Sequence, residues 1–295
     1  MRCGFVAIVG RPNVGKSTLL NRIVGQKVSI TSHRPQTTRH RIVGIKTAGE
    51  TQYVYVDTPG LHLGAKSAIN RYMNRTASSA LADVDVVLFV VEALRWTDED
   101  ENVASRLTSG RAPVILVVNK VDVLKDKSAL LPYLEQVAGK GKFAEIVPVS
   151  AGTGTGLVDL ERLVARRLPE GVHYFPEDQV TDRSERFLAA ELVREKLMRM
   201  LRQELPYALT VEIERFREDE GVLHVDAVIW VERKGQKAIV IGKGGATLKE
   251  VGKQARLEME AMFASKVFLR LWVKVKEGWA DDERILRSLG YSDEH

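Results

Sequence analysis

Apolar and polar positions alternate with two different periods along the first half of the chain. Short apolar runs at residues 5–9, 52–56, 84–91, 114–118 and 145–149 read as strands rich in Val and Ile. The middle runs are apolar on both faces, as parallel strands covered by helices on each side are. Between them, residues 16–24, 68–82, 98–107, 128–137 and 156–168 carry a helical period. Residues 42–46 fit one more strand, paired with 52–56 across Gly49. The alternation predicts an α/β unit with an open, mostly parallel sheet and helices on both faces. It stops at Leu168-Pro169-Glu170-Gly171, where Pro and Gly close the last helix.

Residues 171–183, with Pro176 among them, have no period and read as a linker between a first domain at 1–170 and a second at 184–295. The second domain has a different order. Phe187, Leu188, Leu192, Leu197, Leu201 and Leu205 recur at helical spacing and predict an amphipathic helix over 184–205. Strands at 209–216 and 222–231 follow, joined as a hairpin through Asp219-Glu220-Gly221. A short apolar segment at 237–241 leads through a Gly-rich turn to a helix at 247–263. A last strand at 267–276 points Val267, Leu269, Leu271, Val273 and Val275 to one face, and 279–289 reads as a short helix. No internal repeat and no low-complexity tract interrupts this order.

The candidate chemistry sits where strands end. Gly10-Arg11-Pro12-Asn13-Val14-Gly15-Lys16-Ser17, with Thr18 beside it, matches G-x-x-x-x-G-K-[ST] between a strand and a helix. In such a loop backbone N–H groups converge on phosphate oxygens, Lys16 reaches the β- and γ-phosphates, and the Ser17 hydroxyl ligates Mg²⁺. Asp57-Thr58-Pro59-Gly60 closes the next apolar strand, which suits Asp57 for a Mg²⁺ contact and the Gly60 N–H for sensing the γ-phosphate. Asn119-Lys120-Val121-Asp122 closes another. The Asp122 carboxylate can accept from the N1–H and exocyclic amine of guanine, a pair of donors adenine lacks, so GTP is preferred to ATP. Asn119 would tie this loop to the phosphate loop, and Lys120 would lie along the base. Ser150-Ala151, after the last strand, would offer a backbone N–H to the guanine carbonyl.

These four motifs in this order resemble the GTPase domain of the translation-factor-like class. Gln36-Thr37-Thr38-Arg39-His40-Arg41 then occupies the place of a first switch, with Thr38 the candidate for closing over Mg²⁺ and γ-phosphate, and Thr37 the alternative. Lys16, Thr38, Asp57 and Gly60 are the candidate catalytic residues, and Ser17, Thr38 and Asp57 the candidate metal ligands. Leu61 stands where small signalling GTPases carry a water-orienting glutamine, so slow intrinsic hydrolysis is expected. Asn13 resembles the asparagine that coordinates K⁺ in related GTPases, which makes K⁺ a candidate helper; a brace for the loop is the alternative reading. His62 reads as a solvated switch residue rather than a general base.

In the second domain, Val240-Ile241-Gly242-Lys243-Gly244-Gly245 joins a short apolar segment to a long helix. With its flanking strands this order resembles a type II K-homology domain, whose glycine loop clamps about four single-stranded nucleotides. Ile241, Gly242, Lys243, Gly244, Gly245 and Lys249 are the candidate RNA contacts. Ile239, Ile241 and Val251 are groove candidates or core, and Lys253 is a phosphate contact or a solvated charge. Together the two domains resemble the Era family of bacterial GTPases, over essentially the whole chain. Val211-Glu212-Ile213-Glu214 and the tail Gly278-Trp279-Ala280-Asp281-Asp282-Glu283-Arg284 share in the likeness. The resemblance implies a GTP/GDP and Mg²⁺ switch that binds the 3′ region of 16S rRNA during 30S assembly, with some peripheral inner-membrane association. The alternative it leaves is an RNA-binding assembly scaffold in which hydrolysis is only a reset. A monomer is expected.

Composition narrows this picture. Hydrophobic residues are 44% and charged residues 28% of 295, which excludes wholesale disorder. No apolar run approaches the roughly 18–20 residues of a membrane span, and the start reads as no secretory signal. Cys3 is the single cysteine, so no internal disulfide forms and a cytoplasmic location is expected. The net charge of +5 conceals two basic stretches. Residues 1–46 hold nine basic residues and no acidic one, and residues 233–276 hold 11 basic and three acidic. The first fits nucleotide phosphates, the second an RNA backbone.

Overall fold

The computed structural model describes residues 1–60, 67–108 and 110–291. The chain divides into two compact units. The first comprises 1–29, 38–66 and 70–182; the second comprises 30–37, 67–69 and 183–295.

The first unit is a six-stranded sheet in the order β2-β3-β1-β4-β5-β6. Its strands are β1 (Arg2–Val9), β2 (Ile42–Ala48), β3 (Thr51–Asp57), β4 (Val86–Glu92), β5 (Val114–Asn119) and β6 (Glu145–Pro148). All neighbours run parallel except β2, which is antiparallel to β3. Ala48 pairs with Thr51, and Gly49 at φ 57 makes the two-residue connection without a Cβ clash. Every residue of β5 is buried, as is Val86–Val91 of β4, the mark of strands covered on both faces. On one face Val87, Phe89, Leu116 and Val118 pack with Val103 and Leu107 of α3 (Asp98–Leu107) and with Tyr133 and Val137 of α4 (Leu130–Ala138). On the other, α1 (Lys16–Val24) lies so close to β2 that a Cβ on Gly44 would stand 2.6 Å from Leu20. The helices α2 (Ala68–Ser79) and α5 (Leu157–Ala165) complete the alternation. Because five strands run parallel, the segments after β1, β3, β4, β5 and β6 all emerge at one edge, where ligands of open α/β sheets bind.

Residues 171–182, read above as a linker, are bound to the first unit. Gln52, fully buried on β3, accepts from the backbone N–H of Tyr174 (2.8 Å) and Phe175 (3.0 Å) and donates to the Phe175 carbonyl (2.8 Å). Tyr174 stacks on Phe5. Further on, the Ile45 N–H donates to the Val180 carbonyl, and the Thr181 hydroxyl donates to that of Val43.

The second unit has α6 (Glu185–Met200), a three-stranded sheet in the order β7-β8-β9, and α7, α8 and α9. Strands β7 (Leu209–Asp219) and β8 (Val222–Val231) form the expected hairpin. Glu220 (φ 49) and Gly221 (φ 73) both take the left-handed conformation that matches the twist of paired strands. Strand β9 (Lys266–Val275) runs parallel to β8, so the chain crosses between them through α7 (Lys234–Ile241) and α8 (Ala246–Phe263). One sheet face carries the core: Val225, Ala227 and Val273 pack with Leu192 and Leu197 of α6 and with Val251 and Met259 of α8. Helix α9 (Glu283–Ser288) lies within the stretch expected at 279–289.

Helix α6 departs from expectation in two ways. It ends at Met200 instead of reaching residue 205, because Leu201 is extended (ψ 157) and Gln203 turns left-handed (φ 56). It is also not amphipathic: Glu191, Arg194, Glu195 and Lys196 are buried with the leucines. Their charges are compensated locally. Arg194 is bidentate on Glu191 (2.7 and 2.6 Å), and Lys196 pairs with Glu195 (3.0 Å) and Glu258. Glu195 also accepts from the Thr31 N–H at 2.8 Å. Buried ions of opposite sign with their hydrogen bonds filled remain tolerable inside a fold.

Gln52→Leu tests the strapped segment. It leaves two part-buried N–H groups and one part-buried carbonyl without their Gln52 partner, each worth about 1 kcal/mol at the lower end of the usual range. Urea unfolding of the variant is expected to show a loss of about 3 kcal/mol; a loss below about 1 kcal/mol would show that the segment holds without Gln52.

Candidate functional site at the carboxyl edge of the parallel sheet

The loop between β1 and α1 is shaped by two positions that admit no side chain. A Cβ on Gly10 (φ 150) would meet the Val90 carbonyl at 2.4 Å, and one on Gly15 (φ 103) would meet Asn119 Nδ2 at 2.3 Å. Asn13, also left-handed at φ 65, is exposed at the turn between them. Lys16 is buried beneath the loop and donates to the carbonyls of Gly10 and Arg11, both at 2.9 Å. Burial pushes its ammonium down to about 8, against the opposing pull of Asp57.

Asp57 gathers three hydroxyls. Its Oδ2 accepts from Ser17 (2.7 Å) and Ser29 (3.0 Å), with Thr38 at 3.4 Å, and the Ser17 and Thr38 oxygens lie 2.9 Å apart. Burial raises the Asp57 carboxyl above its usual range; the charge of Lys16 and the three hydroxyls oppose this. Its Oδ1 is buried and has no hydrogen-bond partner among the described residues. The Ser17 and Thr38 hydroxyls and the Asp57 carboxylate, one of whose oxygens has no partner among the described residues, form a hard, all-oxygen donor set of the kind Mg²⁺ takes beside a phosphate chain. The residues therefore fit a Mg²⁺–nucleotide group. The two threonines behave differently: Thr38 joins this set, whereas the Thr37 hydroxyl donates to the Arg34 carbonyl (2.7 Å) within its own loop. Gly60 backs onto the phosphate loop, since a Cβ there would stand 3.0 Å from Pro12 Cγ. The hydroxyl of its neighbour Thr58 donates to the Ile8 carbonyl (3.1 Å). Leu61 and His62 lie outside the described residues.

The loops after β5 and β6 are tied to this centre by one side chain. Asn119 Nδ2 donates to the Val14 carbonyl (2.8 Å), and Asn119 Oδ1 accepts from the Ala151 N–H (2.9 Å). Ser150 donates its hydroxyl to Asp122 Oδ1 and so aims that exposed carboxylate. The Ser150-Ala151 pair, expected to offer one backbone N–H to the guanine carbonyl, has both of its N–H groups engaged here: that of Ala151 with Asn119 and that of Ser150 with the Thr155 carbonyl. Lys120, left-handed at φ 67, pairs with Glu92 at 3.2 Å.

Sequence patterns missed one member of the site, Ser29, and the partners of another, Arg11. Ser29 is placed by Asn21 of α1, whose amide accepts from the backbone N–H of Val28 and Ser29 and donates to the Ser29 carbonyl. Arg11, a variable position in the loop motif, is buried and bridges Asp100 and Glu92, both at 3.0 Å. Burial opposes its charge, but the two carboxylates outweigh burial and hold the guanidinium protonated. No one-dimensional motif spans separations of 81 and 89 residues; only the adjacency of β1 and β4 brings these groups together.

In the second unit Gly242, Gly244 and Gly245 all have positive φ (76, 58 and 79) at the joint between α7 and α8. A Cβ on Gly242 would stand 2.3 Å from Thr247 Oγ1, so the joint requires glycine there. Lys243, Lys249 and Lys253 are exposed around it. Ile239 is 58% exposed, Ile241 half-buried, and Val251 fully buried in the core, so Val251 leaves the set of groove candidates.

A phosphate-type loop, an all-oxygen carboxylate centre and an Asn-Lys-x-Asp loop on one sheet edge, with a Gly-x-x-Gly joint in a separate α+β unit, define a P-loop GTPase joined to a K-homology domain. Family profiles agree: "50S ribosome-binding GTPase" matches residues 5–120 and "KH domain" residues 204–280. The chain is 63% identical over 292 residues to GTPase Era of Pseudomonas aeruginosa, covering 99% of this chain and 96% of that protein. It is 63% identical over 293 residues to GTPase Era of Azotobacter vinelandii, covering 99% and 98%. Two solved structures share the whole fold at 40% identity. A point variant of Aquifex aeolicus Era bound to GDP·AlF₄⁻ has a TM-score of 0.95 and covers 99% of this chain and 100% of its own. Era in complex with MgGDPNP and nucleotides 1506–1542 of 16S ribosomal RNA has a TM-score of 0.96 and covers 99% of both. The chain belongs to the GTPase Era family.

Lys16 gives the site a pH dependence. Its charge is present below about 8 and lost above it, so affinity for a nucleoside triphosphate is expected to weaken about tenfold between pH 7 and 9. Titration with a fluorescent GTP analogue reads this directly; a flat profile would show that the ammonium does not meet the phosphates.

Proposed function

We propose that this chain is a nucleotide switch that hydrolyses GTP in residues 1–170 and holds the 3′ region of 16S rRNA through residues 184–295, during assembly of the small ribosomal subunit. The observation that carries the nucleotide half is the convergence of Ser17 and Thr38 on Asp57, whose second oxygen has no hydrogen-bond partner among the described residues. Bound Mg²⁺ would offset negative charge on the phosphate oxygens, held by Ser17 and Thr38 with Asp57 behind them. Backbone N–H groups from Gly10 to Ser17 cradle the phosphates, and the Lys16 ammonium turns from its two carbonyl partners to the β- and γ-oxygens. Thr38 and the Gly60 N–H close on the γ-phosphate and read its presence. Asp122, aimed by Ser150, accepts from the two guanine donors, while Asn119 holds base loop and phosphate loop in register. This is the chemistry on which hydrolysis to GDP and phosphate rests, and the nucleotides bound to the two related structures are consistent with it.

The RNA half rests on the Gly242–Gly245 joint, where three left-handed glycines bring backbone close to a ligand and Lys243 and Lys249 lie ready for phosphates. The RNA in the related complex belongs to the small subunit. The large-subunit wording of one family profile covers residues 5–120 alone, whereas the related complex that matches end to end carries 16S RNA, which supports the small-subunit reading. The place of action is the cytoplasm. Among the described residues no helix is long and apolar enough to cross a membrane.

Two variants separate the halves. Ser17→Ala is expected to weaken nucleotide affinity at fixed Mg²⁺ by at least about tenfold and to leave RNA binding to the nucleotide-free protein unchanged. Gly244→Asp is expected to abolish RNA cross-links at the Gly242–Gly245 joint with GTP affinity retained. Cross-links that fall mainly on residues 1–170 would overturn the division. Turnover in KCl is expected to exceed that in NaCl if Asn13, exposed on the phosphate loop, helps hold a cation; equal rates leave Asn13 as a brace.

A further inference from the structure

The second sheet buries one face against α6 and α8; its other face is built unlike an ordinary solvated surface. The parallel register sets His224 beside Phe268, Asp226 beside Arg270, Val228 beside Trp272 and Trp230 beside Lys274. Strand alternation places all of these on the face opposite the core positions Val225, Ala227 and Val273, where Asp226 and Val228 are themselves buried. Phe268 is 49% and Trp272 39% exposed. The guanidinium of Arg270 lies between their rings, 5.9 Å from one centroid and 5.2 Å from the other. Asp226 pins that guanidinium with two bonds of 2.7 and 2.6 Å. His224 extends the row, 5.5 Å from Phe268. Along the face, Trp230 is anchored by its indole N–H on Glu212 (2.8 Å) and carries Lys274 and Lys276 over its ring at 5.7 and 5.3 Å.

We propose that this outward face of β8 and β9 is a second surface for single-stranded RNA, on which bases stack against Phe268, Arg270 and Trp272 while Lys266, Lys274 and Lys276 meet phosphates. The inference rests on the reading that the second unit binds RNA, and extends it from the Gly-x-x-Gly joint to a separate face. Three features select this occupant. From Lys266 to Lys276 every outward residue of β9 is aromatic or basic and none is acidic, which complements a polyanion. The acidic groups nearby are engaged, Asp226 by Arg270 and Glu214 by Lys274. Finally, the platforms stand two residues apart along a strand, about 6.6 Å. This is about twice the 3.4 Å rise of a stacked duplex strand, so they suit splayed bases rather than paired ones. Aromatic platforms within a basic track are how single strands are held without regard to sequence. A lipid surface would want aliphatic side chains to insert, but the one aliphatic residue within this row, Val228, is fully buried.

The test uses the full-length protein and labelled RNAs of about 5 and about 25 nucleotides from the 3′ end of 16S rRNA, the shorter one matched to a Gly-x-x-Gly groove. Trp272→Leu keeps an apolar strand residue but removes the platform; Trp272→Phe restores a ring. Both are first shown to melt cooperatively with the parent protein. The expected result is a loss of about tenfold or more in affinity for the long RNA in Trp272→Leu, recovery in Trp272→Phe, and an unchanged short RNA. Equal long-RNA affinity in all three proteins overturns the proposal while leaving the Gly-x-x-Gly reading intact. Failure of the unaltered protein to bind either RNA overturns that reading and the proposal with it. Capture by anionic phosphatidylserine vesicles that Trp272→Leu abolishes, with RNA affinity unmoved, assigns the face to lipid instead and also overturns it.

Discussion

An ionised carboxylate sealed from water at the end of a parallel strand is expensive, and the first unit is arranged around compensating one. Asp57 is fully buried, and an isolated charge there would neutralise. Three hydroxyls and the Lys16 ammonium offset that tendency, and the hydroxyls are each delivered by a different piece of chain. Ser17 comes from the first turn of α1, Ser29 from the loop that Asn21 grips, and Thr38 from the segment leading into β2. The arrangement fills one carboxylate oxygen and leaves the other with no partner among the described residues. Stability and receptivity are thus divided between the two oxygens of one side chain.

The sheet edge that carries this centre was legible in the sequence, because its motifs are local and end strands whose apolar runs are unmistakable. The strand order was inferable only in class, since parallel pairing leaves no local trace. What stayed hidden has a common physical character. Ser29 has no motif neighbour; its hydroxyl matters because Asn21 folds the loop back. Arg11 occupies a variable motif position, yet it joins β4 and α3 to the phosphate loop through Glu92 and Asp100. The choice between Thr37 and Thr38 could not be made from adjacency, since neighbouring residues point to different partners and only coordinates say which.

The second unit shows a different limit. Helical spacing of leucines in α6 suggested one wet face, but charge at the remaining positions does not imply exposure. Arg194, Glu195 and Lys196 are buried because their counter-ions are supplied within the helix and by Glu258 of α8. The reverse holds on β9. Alternation identified its core-facing valines and leucines, and attention to those passed over Phe268 and Trp272 between them. Reading a strand for its buried parity discards half its residues, and in this strand the discarded half carries the unusual chemistry.

The strap from Gln52 to Thr181 has a consequence beyond local stability. A strand at the rim of a sheet presents unpaired donors and acceptors that can recruit a strand from another molecule. At one rim of the six-stranded sheet, two outer groups of β2, the Ile45 N–H and the Val43 carbonyl, are occupied by Val180 and Thr181 of its own chain. At the other, β6 is four residues long and ends in Pro148, which has no N–H to give. Strand addition is thereby discouraged at both rims, so this unit resists joining a growing sheet when crowded with copies of itself.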